Sequence, residues 1–522
     1  MNYSNSSVPP ERGLRRYLLL TAAITGAAIM IVEILGAKML APYVGTSHFV
    51  WTAQIGVTLV ALALGYAVGG RIADRSPGVR SLYSAILLAA AYLALSVWWC
   101  EPVAFWCVGF PLPVGSLLAA AILYLPPLAF LAMTPPFLVR ALTTSLDSVG
   151  ASVGRLSAIS TLGSVLGTVL IGYVLIPLLP NSRIMFVVSS VLMLIALIYF
   201  LVWEPKRRGK AVVVAVAGLG VGYYAAEQTV LKNPPGHTEV FRGNSNFGLL
   251  QVIDMEPPGL RMYLNDRLTQ NTYLLKDRRS ASLFTYMLKG LAQVYTPEIK
   301  DVLCIGMGVG VVPMQFADMG ARVDVVEIND AIVPVAQKYF NFEATKVRLT
   351  VGDGRQFLAT TTNRYDTIIL DAFLGESVPA HLMSREALTA MRQRLKPGGT
   401  LVMNTIAETT VGRDYFVNSL TRTLHGVFSE VKVHMASEGG FGNIFLVAGD
   451  RAGLGMLRAP DMGGIPPFLV PQVESAYAGL RLQDPKRGDV LTDDFNPVDF
   501  HDAGTRERFR QMLVSSAKNR GH

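Results

Sequence analysis

The sequence predicts a multi-pass α-helical membrane bundle of about seven helices, followed by a Rossmann-like α/β sheet domain that opens with a small β-rich lid. Three observations predict it. The chain is apolar for its length, 51% hydrophobic and 16% charged over 522 residues, with a mean hydropathy of +0.38, which is too greasy for one water-soluble enzyme. Its charge is uneven: residues 1–225 hold 14 of the 46 Lys and Arg but only 6 of the 38 Asp and Glu, so the net charge of +8 sits in the apolar half. Residues 301–371 carry a glycine turn, Gly306-Met-Gly308-Val-Gly310, and then Glu327, Asp353 and Asp371 at the ends of successive expected strands. The organisation is therefore a helical domain over 1–226, a linker and lid over 227–297 and a sheet domain over 298–522.

Seven apolar spans are read at about 17–41, 49–70, 81–100, 114–134, 157–179, 183–203 and 211–226, most of them near the ~20 residues a crossing helix needs. The last is the shortest. The first is too long for a signal peptide and lacks a small-residue cleavage site, so it stays as an anchor. Residues 101–113, EPVAFWCVGFPLP, read as an interfacial or re-entrant piece. Basic residues cluster on alternate connections: Arg12, Arg15 and Arg16; Arg71, Arg75 and Arg80; Arg140 and Arg155; Lys206, Arg207, Arg208 and Lys210. That pattern puts the N-terminus on the cytoplasmic side of a plasma (inner) membrane. Seven crossings would place the sheet domain outside, whereas S-adenosyl nucleosides are made in the cytosol. A seventh span lying in the interface would return the domain to the cytoplasm, and both topologies satisfy the charge map.

Several function classes drop out. The high pI belongs to loops beside a bilayer, and the charge-balanced second half has no basic stripe with interleaved aromatics, so nucleic acid is not an expected partner. Cys100, Cys107 and Cys304 read as buried, unpaired thiols. No Cys-x-x-Cys pair or histidine cluster suggests a metal site. Within the bundle, Glu33, with Lys38 beyond it, is costly at membrane depth and reads either as a paired acid that packs the helices or as a substrate or proton site. The glycines of GSVLGTVLIG read as close helix packing.

In the second half, DVLCIG reads as a strand ending in a turn where backbone approaches a ligand, VVPMQFADM as the next helix, and RVDVVE as a strand ending on Glu327, where a carboxylate can accept from a ribose diol. Ligands of open α/β sheets bind beyond the carboxyl ends of the strands, where all these groups fall. G-x-G-x-G, with Val311 where a dinucleotide site needs glycine, suits an S-adenosyl-type nucleoside in a class I methyltransferase-type sheet.

From about residue 240 to 500 the chain resembles the spermidine and spermine synthases, the polyamine aminopropyltransferases. SNFGLLQVID and YLNDRLTQN look like that family's lid, VEIND like its ribose strand end, GDGRQFL like its adenine contact and YDTIILDAF like its catalytic strand, with VPAHLMSREALTAMRQRLKPGGTLVMN and LTDDFNPVDF completing the order. EILGAKMLAPYVGTSHFVW, LGYAVGGRIADR and STLGSVLGTVLIGYVLIP resemble the multi-pass segment fused to some bacterial members. The resemblance implies decarboxylated S-adenosylmethionine or S-adenosylmethionine as co-substrate, without a metal. Gly306, Gly308 and Gly310 would fix the nucleoside, Glu327 would hold the ribose, Asp353 with Gly354 would meet the adenine and Gln270 would line the site. Asp371 would be the base that takes a proton from the attacking amine. Asp266 in the lid, Tyr286, Phe373, Glu376 and His381 are candidate contacts to a small amine substrate. Soluble relatives form dimers or larger assemblies, so a homodimer is a candidate state beside the lipid bilayer.

The departures fall on substrate-distinguishing positions. Val309 stands where the synthases place an aspartate that repels the carboxylate of intact S-adenosylmethionine. Leu374 replaces a second acid, Gly248 replaces the lid glutamine, and RRSASLFTYML lacks the Asp-Glu and Tyr-His-Glu signature. Asp371-Ala-Phe-Leu is not the Asp/Asn-Pro-Pro-aromatic tetrad of amino-methyltransferases, which disfavours that class. Membrane-bound polyamine aminopropyl transfer, to putrescine for example, is the leading reading. A transferase acting on another acceptor, and a transporter or sensor with a non-catalytic nucleoside domain, are the alternatives.

Overall fold

The chain divides into two units, Met1–Lys232 and Asn233–His522. The computed structural model describes residues 11–76, 78–143, 149–228, 236–373, 378–438, 440–480, 487–501, 506–508 and 510–511. In the first unit, Arg12–Val44, His48–Arg75, Arg80–Cys107, Leu112–Leu142, Val149–Leu178, Asn181–Val202 and Pro205–Glu227 are helices long and apolar enough to cross a membrane. The seventh is thus longer than the span read from hydropathy. Residues 101–113 are not a separate re-entrant piece: helix continues to Cys107, and a short turn leads to the next helix at Leu112. A polar Glu101 and Pro102 interrupt the apolar pattern there, and the helix runs through them although Pro102 has no N–H to donate to the ladder.

Prolines explain the irregularities. The fourth helix is interrupted at Met133, just before Pro135 and Pro136, which have no N–H to continue the ladder. The fifth passes through a π turn at Ile171–Leu175 immediately before Pro177. Small residues bring the first and fifth helices together. A Cβ on Gly163 would overlap the Ala23 carbonyl, one on Gly167 would meet that of Ala27, and Ser164 donates to Gly26 O at 3.1 Å. Glu33 is half-buried on the first helix beside Thr58 of the second, whose hydroxyl donates to Gln54 O at 2.9 Å.

The second unit begins with five antiparallel strands in chain order: β1 (His237–Ser245), β2 (Gly248–Met255), β3 (Leu260–Asn265), β4 (Leu268–Leu274) and β5 (Arg279–Ser280). The helix Leu283–Tyr295 leads into β6 (Asp301–Ile305), β7 (Arg322–Glu327), β8 (Arg348–Val351), β9 (Tyr365–Leu370), β10 (Leu395–Glu408), β11 (Glu430–Glu438) and β12 (Phe441–Gly449). These form one sheet in the order β11-β12-β10-β9-β6-β7-β8, parallel from β6 to β10, with β12 antiparallel to its neighbours. This is the doubly wound, class I methyltransferase-type order.

Its central strands are apolar runs because both faces are covered, one by a core that includes Val302, Cys304, Phe316 and Ile369, the other by Leu303, Ile305, Ile368 and Leu370. The chain moves outward from β6 to β8 and then returns to β9 on the other side of β6. That reversal opens a crevice between the ends of β6 and β9. Among the described residues, Cys100, Cys107 and Cys304 are buried and form no disulfide.

Candidate active site

The glycine turn after β6 lies against the ends of both flanking strands. Gly306 N–H donates to Val326 O at 2.8 Å and Asp371 N–H to Ile305 O at 2.9 Å. Gly306 has φ of 91°, and a Cβ there would overlap the Asp371 carbonyl, so glycine is required on both counts. Gly308 and Gly310 also have positive φ, 53° and 83°, and Gly310 lies against the Phe342 ring. Val309 is buried in the apolar core beside Met307, so the turn presents no carboxylate at this position.

Glu327 ends β7 and is only 9% exposed. Its Oε2 accepts from Met307 N–H at 2.9 Å and its Oε1 from Asn329 N–H at 2.8 Å. Burial raises its pKa, opposed by these backbone amides. Each carboxylate oxygen has two lone pairs, so capacity to accept from a diol remains. Asn329 also donates to Ser245 Oγ at 3.1 Å, tying β1 of the lid to the ribose-side strand end.

Asp353 does not end a strand as the sequence suggested. β8 stops at Val351, and Asp353 caps the helix Gly354–Thr360, with Oδ1 accepting from the N–H groups of Arg355 and Gln356 at 3.0 Å each. An Asp two residues past a short edge strand reads alike as strand end or helix cap, and the helix N-terminus decides it. Its Oδ2 lies 2.9 Å from His381 Nε2. Burial raises the Asp353 pKa, but the Gln356 and Arg355 amides and His381 outweigh it and the net shift is downward. Gly354 packs closely on Ile305, bringing this helix onto β6.

Asp371 follows β9. Its Oδ1 accepts from Asn404 Nδ2 of β10 at 2.9 Å, and Asn404 Oδ1 accepts from Asn443 Nδ2 of β12 at 3.0 Å. Burial pushes the Asp371 carboxyl up to about 6, with the Asn404 hydrogen bond opposing. A carboxylate poised there is basic enough to take a proton near neutral pH.

The remaining candidates separate. Asp266 is buried at a positive-φ turn position, and its Oδ1 accepts from Leu249 N–H at 2.9 Å, so it holds the lid hairpin; Gly248 leaves room for its carboxylate. Gln270 lies half-buried on β4. Tyr286 has its ring in the core, and its hydroxyl donates to Ser280 O at 2.7 Å. Phe373 packs partly buried against the sheet core. Glu376 and Leu374 lie outside the described residues. His381 sits on Asp353, with Nε2 2.9 Å from Oδ2.

Sequence reasoning missed the supports. Asn404 could have been noticed as an amide inside the apolar run TLVMN, but Asn443 could not be connected to it. Arg355 forms a two-pronged pair with Asp493 and donates to His381 O at 3.1 Å and Ser384 Oγ at 3.3 Å, while Asn496 Nδ2 donates to Ala380 O at 3.0 Å. The segment LTDDFNPVDF thereby holds the loop that carries His381. Among the described residues, no group of three or more His, Cys, Asp or Glu is placed to hold a metal ion.

The spermine/spermidine synthase domain pattern matches residues 282–437. The chain is 30% identical over 237 residues to a polyamine aminopropyltransferase of Vibrio vulnificus, covering 41% of this chain and 74% of that protein. The chain belongs to the polyamine aminopropyltransferase family. It is a transferase of this spermidine-synthase-like type. It is also similar to putrescine N-methyltransferase 1 of Nicotiana tabacum, 31% identical over 170 residues, covering 31% of this chain and 44% of that protein. Among solved structures, a probable spermidine synthase from Corynebacterium glutamicum aligns with 17% identity and a TM-score of 0.39 over 47% of this chain and 91% of that chain.

Proposed function

We propose that the protein is a membrane-anchored aminopropyltransferase that moves the aminopropyl group of decarboxylated S-adenosylmethionine to a small polyamine such as putrescine. The observation that carries the reading is Asp371, part-buried beyond the end of β9 and hydrogen-bonded by Asn404, beside the glycine turn that Glu327 braces, with its carboxyl pushed up to about 6 by burial. In this chemistry the amine nitrogen attacks the methylene next to the sulfonium, the C–S bond breaks with its electrons going to sulfur, and the amine proton passes to Asp371. The sulfonium is already an activated leaving group, so most of the rate would come from holding nitrogen and carbon in line. Glu327 would accept from the ribose hydroxyls. Asp353 is the adenine-side candidate, and His381 holds its second oxygen.

A second reading has its own support. Val309 places no carboxylate in the turn, and a relative named putrescine N-methyltransferase is 31% identical over 170 residues, so intact S-adenosylmethionine donating a methyl group is the competing reaction. Purified protein given either donor with putrescine and a panel of amines separates the two, because methylthioadenosine marks aminopropyl transfer and S-adenosylhomocysteine marks methyl transfer. No thioether from any pairing, with wild type indistinguishable from Asp371→Asn, would instead favour a sensor or transporter with a non-catalytic nucleoside domain.

Membrane anchoring is supported by the helix lengths and by exposed apolar residues such as Leu162, Leu166 and Tyr173 on the fifth helix, a surface costly to leave in water. We place it in the plasma (inner) membrane with a cytoplasmic N-terminus on the strength of the basic loops. The side of the sheet domain follows from whether the seventh helix crosses, and a homodimer is the candidate assembly.

A further inference from the structure

β10 lies between β9 and β12, and its register sets Met403 opposite Leu370, so Asn404 comes opposite Asp371. On the other edge of β10, Asn404 is opposite Phe445, and Asn443 is the diagonal neighbour two residues away on the same face. Asn404 is 2% exposed in the middle of an apolar strand, where an amide needs partners on both sides. It has them: Asp371 Oδ1 at 2.9 Å and Asn443 Nδ2 at 3.0 Å. Rotating the Asn404 amide by half a turn would set its carbonyl against the carboxylate and its NH2 against the NH2 of Asn443. The observed direction is the one in which both contacts attract. Asn443 therefore specifies which end of Asn404 faces Asp371. Oδ2 of Asp371 accepts no hydrogen bond from any described residue and is the oxygen left for a substrate.

We propose that Asn404, oriented by Asn443, is the positioning residue for Asp371, binding Oδ1 so that Oδ2 is presented to the attacking amine. This rests on Asp371 being the base. Neither amide touches the nucleoside machinery of Glu327 and Asp353. Donation to the ionised carboxylate also favours the charged form, in opposition to burial. The titratable neighbour of Asp371 among the described residues is the Cys304 thiol on β6, raised far above its ordinary value by burial first and by the charges of Asp371 and Asp324 second, so it stays neutral in the working range.

The test is a pH profile of turnover in the full-length protein for wild type, Asn404→Leu, Asn443→Leu and the double variant, with methylthioadenosine binding as the measure of an intact nucleoside site. Leucine is close to asparagine in size and removes the amide. Asn404→Leu is expected to lower kcat about 10- to 100-fold and to move the acid limb upward by about one pH unit, while methylthioadenosine Kd stays within about twofold. Asn443→Leu should shift the limb in the same direction by less. The double variant should be no worse than Asn404→Leu, because Asn443 acts through Asn404. A kcat loss with an unmoved acid limb, an additive double variant, or loss in proportion to methylthioadenosine binding would overturn the proposal. Asp371→Asn as active as wild type would sink the base reading itself, whatever the asparagine variants do. The limb can also be read without turnover, since Asn404→Leu should lose stability relative to wild type as pH rises through about 6 and match it more closely below.

Discussion

Asp371 is held in an environment that disfavours its own charge. Its carboxyl is raised from 3.8 to about 6 by burial, against the pull of Asn404. Two consequences follow, each with a definite sign. The base is competent only when deprotonated, so kcat/KM is expected to rise with pH through about 6 and then level, and a profile flat from pH 5 to 8 would contradict it. For stability, the folded state keeps a proton between about pH 4 and pH 6 that the unfolded chain releases, so raising pH across that window destabilises the native state by about 3 kcal/mol from this group alone. Asp371→Asn removes the buried charge. It is expected to abolish turnover and to raise Tm at pH 8, with the gain shrinking as pH falls from 6 to 4, as thermal unfolding in detergent at pH 8 and pH 4 would show.

At the scale of elements, close approach decides what the turns and helices tolerate. Gly306→Ala places a Cβ against the Asp371 carbonyl and forces a side chain into φ of 91°. Strain of about 1 kcal/mol is expected from the dihedral alone, and because the overlap pushes on the end of β9, activity should fall by a larger factor than the folded population. Gly163→Leu in the fifth helix should lower the Tm of the helical unit by separating it from Ala23 of the first helix, an overpacking cost of about 1–3 kcal/mol. Arg355→Ala cuts the pair with Asp493, whose pKa of about 2 reflects chiefly that guanidinium, and frees the loop that carries His381. Donor KM should rise by more than kcat falls, because the loop borders Asp353 rather than Asp371. Equal effects on both would place the latch elsewhere.

For the whole molecule, the open question is one of sides. The native cysteines are buried, which leaves a clean background for Thr238→Cys, an exposed position at the start of the lid. Labelling by a membrane-impermeant maleimide in intact cells is expected if the seventh helix crosses. Labelling only after permeabilisation would mean that it does not, and that the domain draws its nucleoside from the cytosol. The charge map is compatible with either because Lys206, Arg207, Arg208 and Lys210 sit in the first turns of this helix and nothing equally basic follows it.

Local chemistry written in consecutive residues was legible in the sequence: the seven apolar spans, the turn at Gly306–Gly310, Glu327 at the end of RVDVVE, and Asp371 after YDTIIL. Each depends on hydrophobic period or on a glycine that must adopt positive φ, and both are properties of short segments. Helix ends were less legible. Glu101 and Pro102 look like a break but lie within the third helix, and Asp353 looks like a strand end but is a cap. Tertiary structure alone decided the partners of the site residues. Asn404 meets Asp371, and Asn443 meets Asn404, because β10 lies between β9 and β12 in the sheet order, and His381 meets Asp353 because Arg355 and Asp493 draw distant loops together. Such contacts join residues tens to more than a hundred positions apart, and only the closing of the fold, which buries their polar groups and so obliges them to pair, brings them within hydrogen-bond distance.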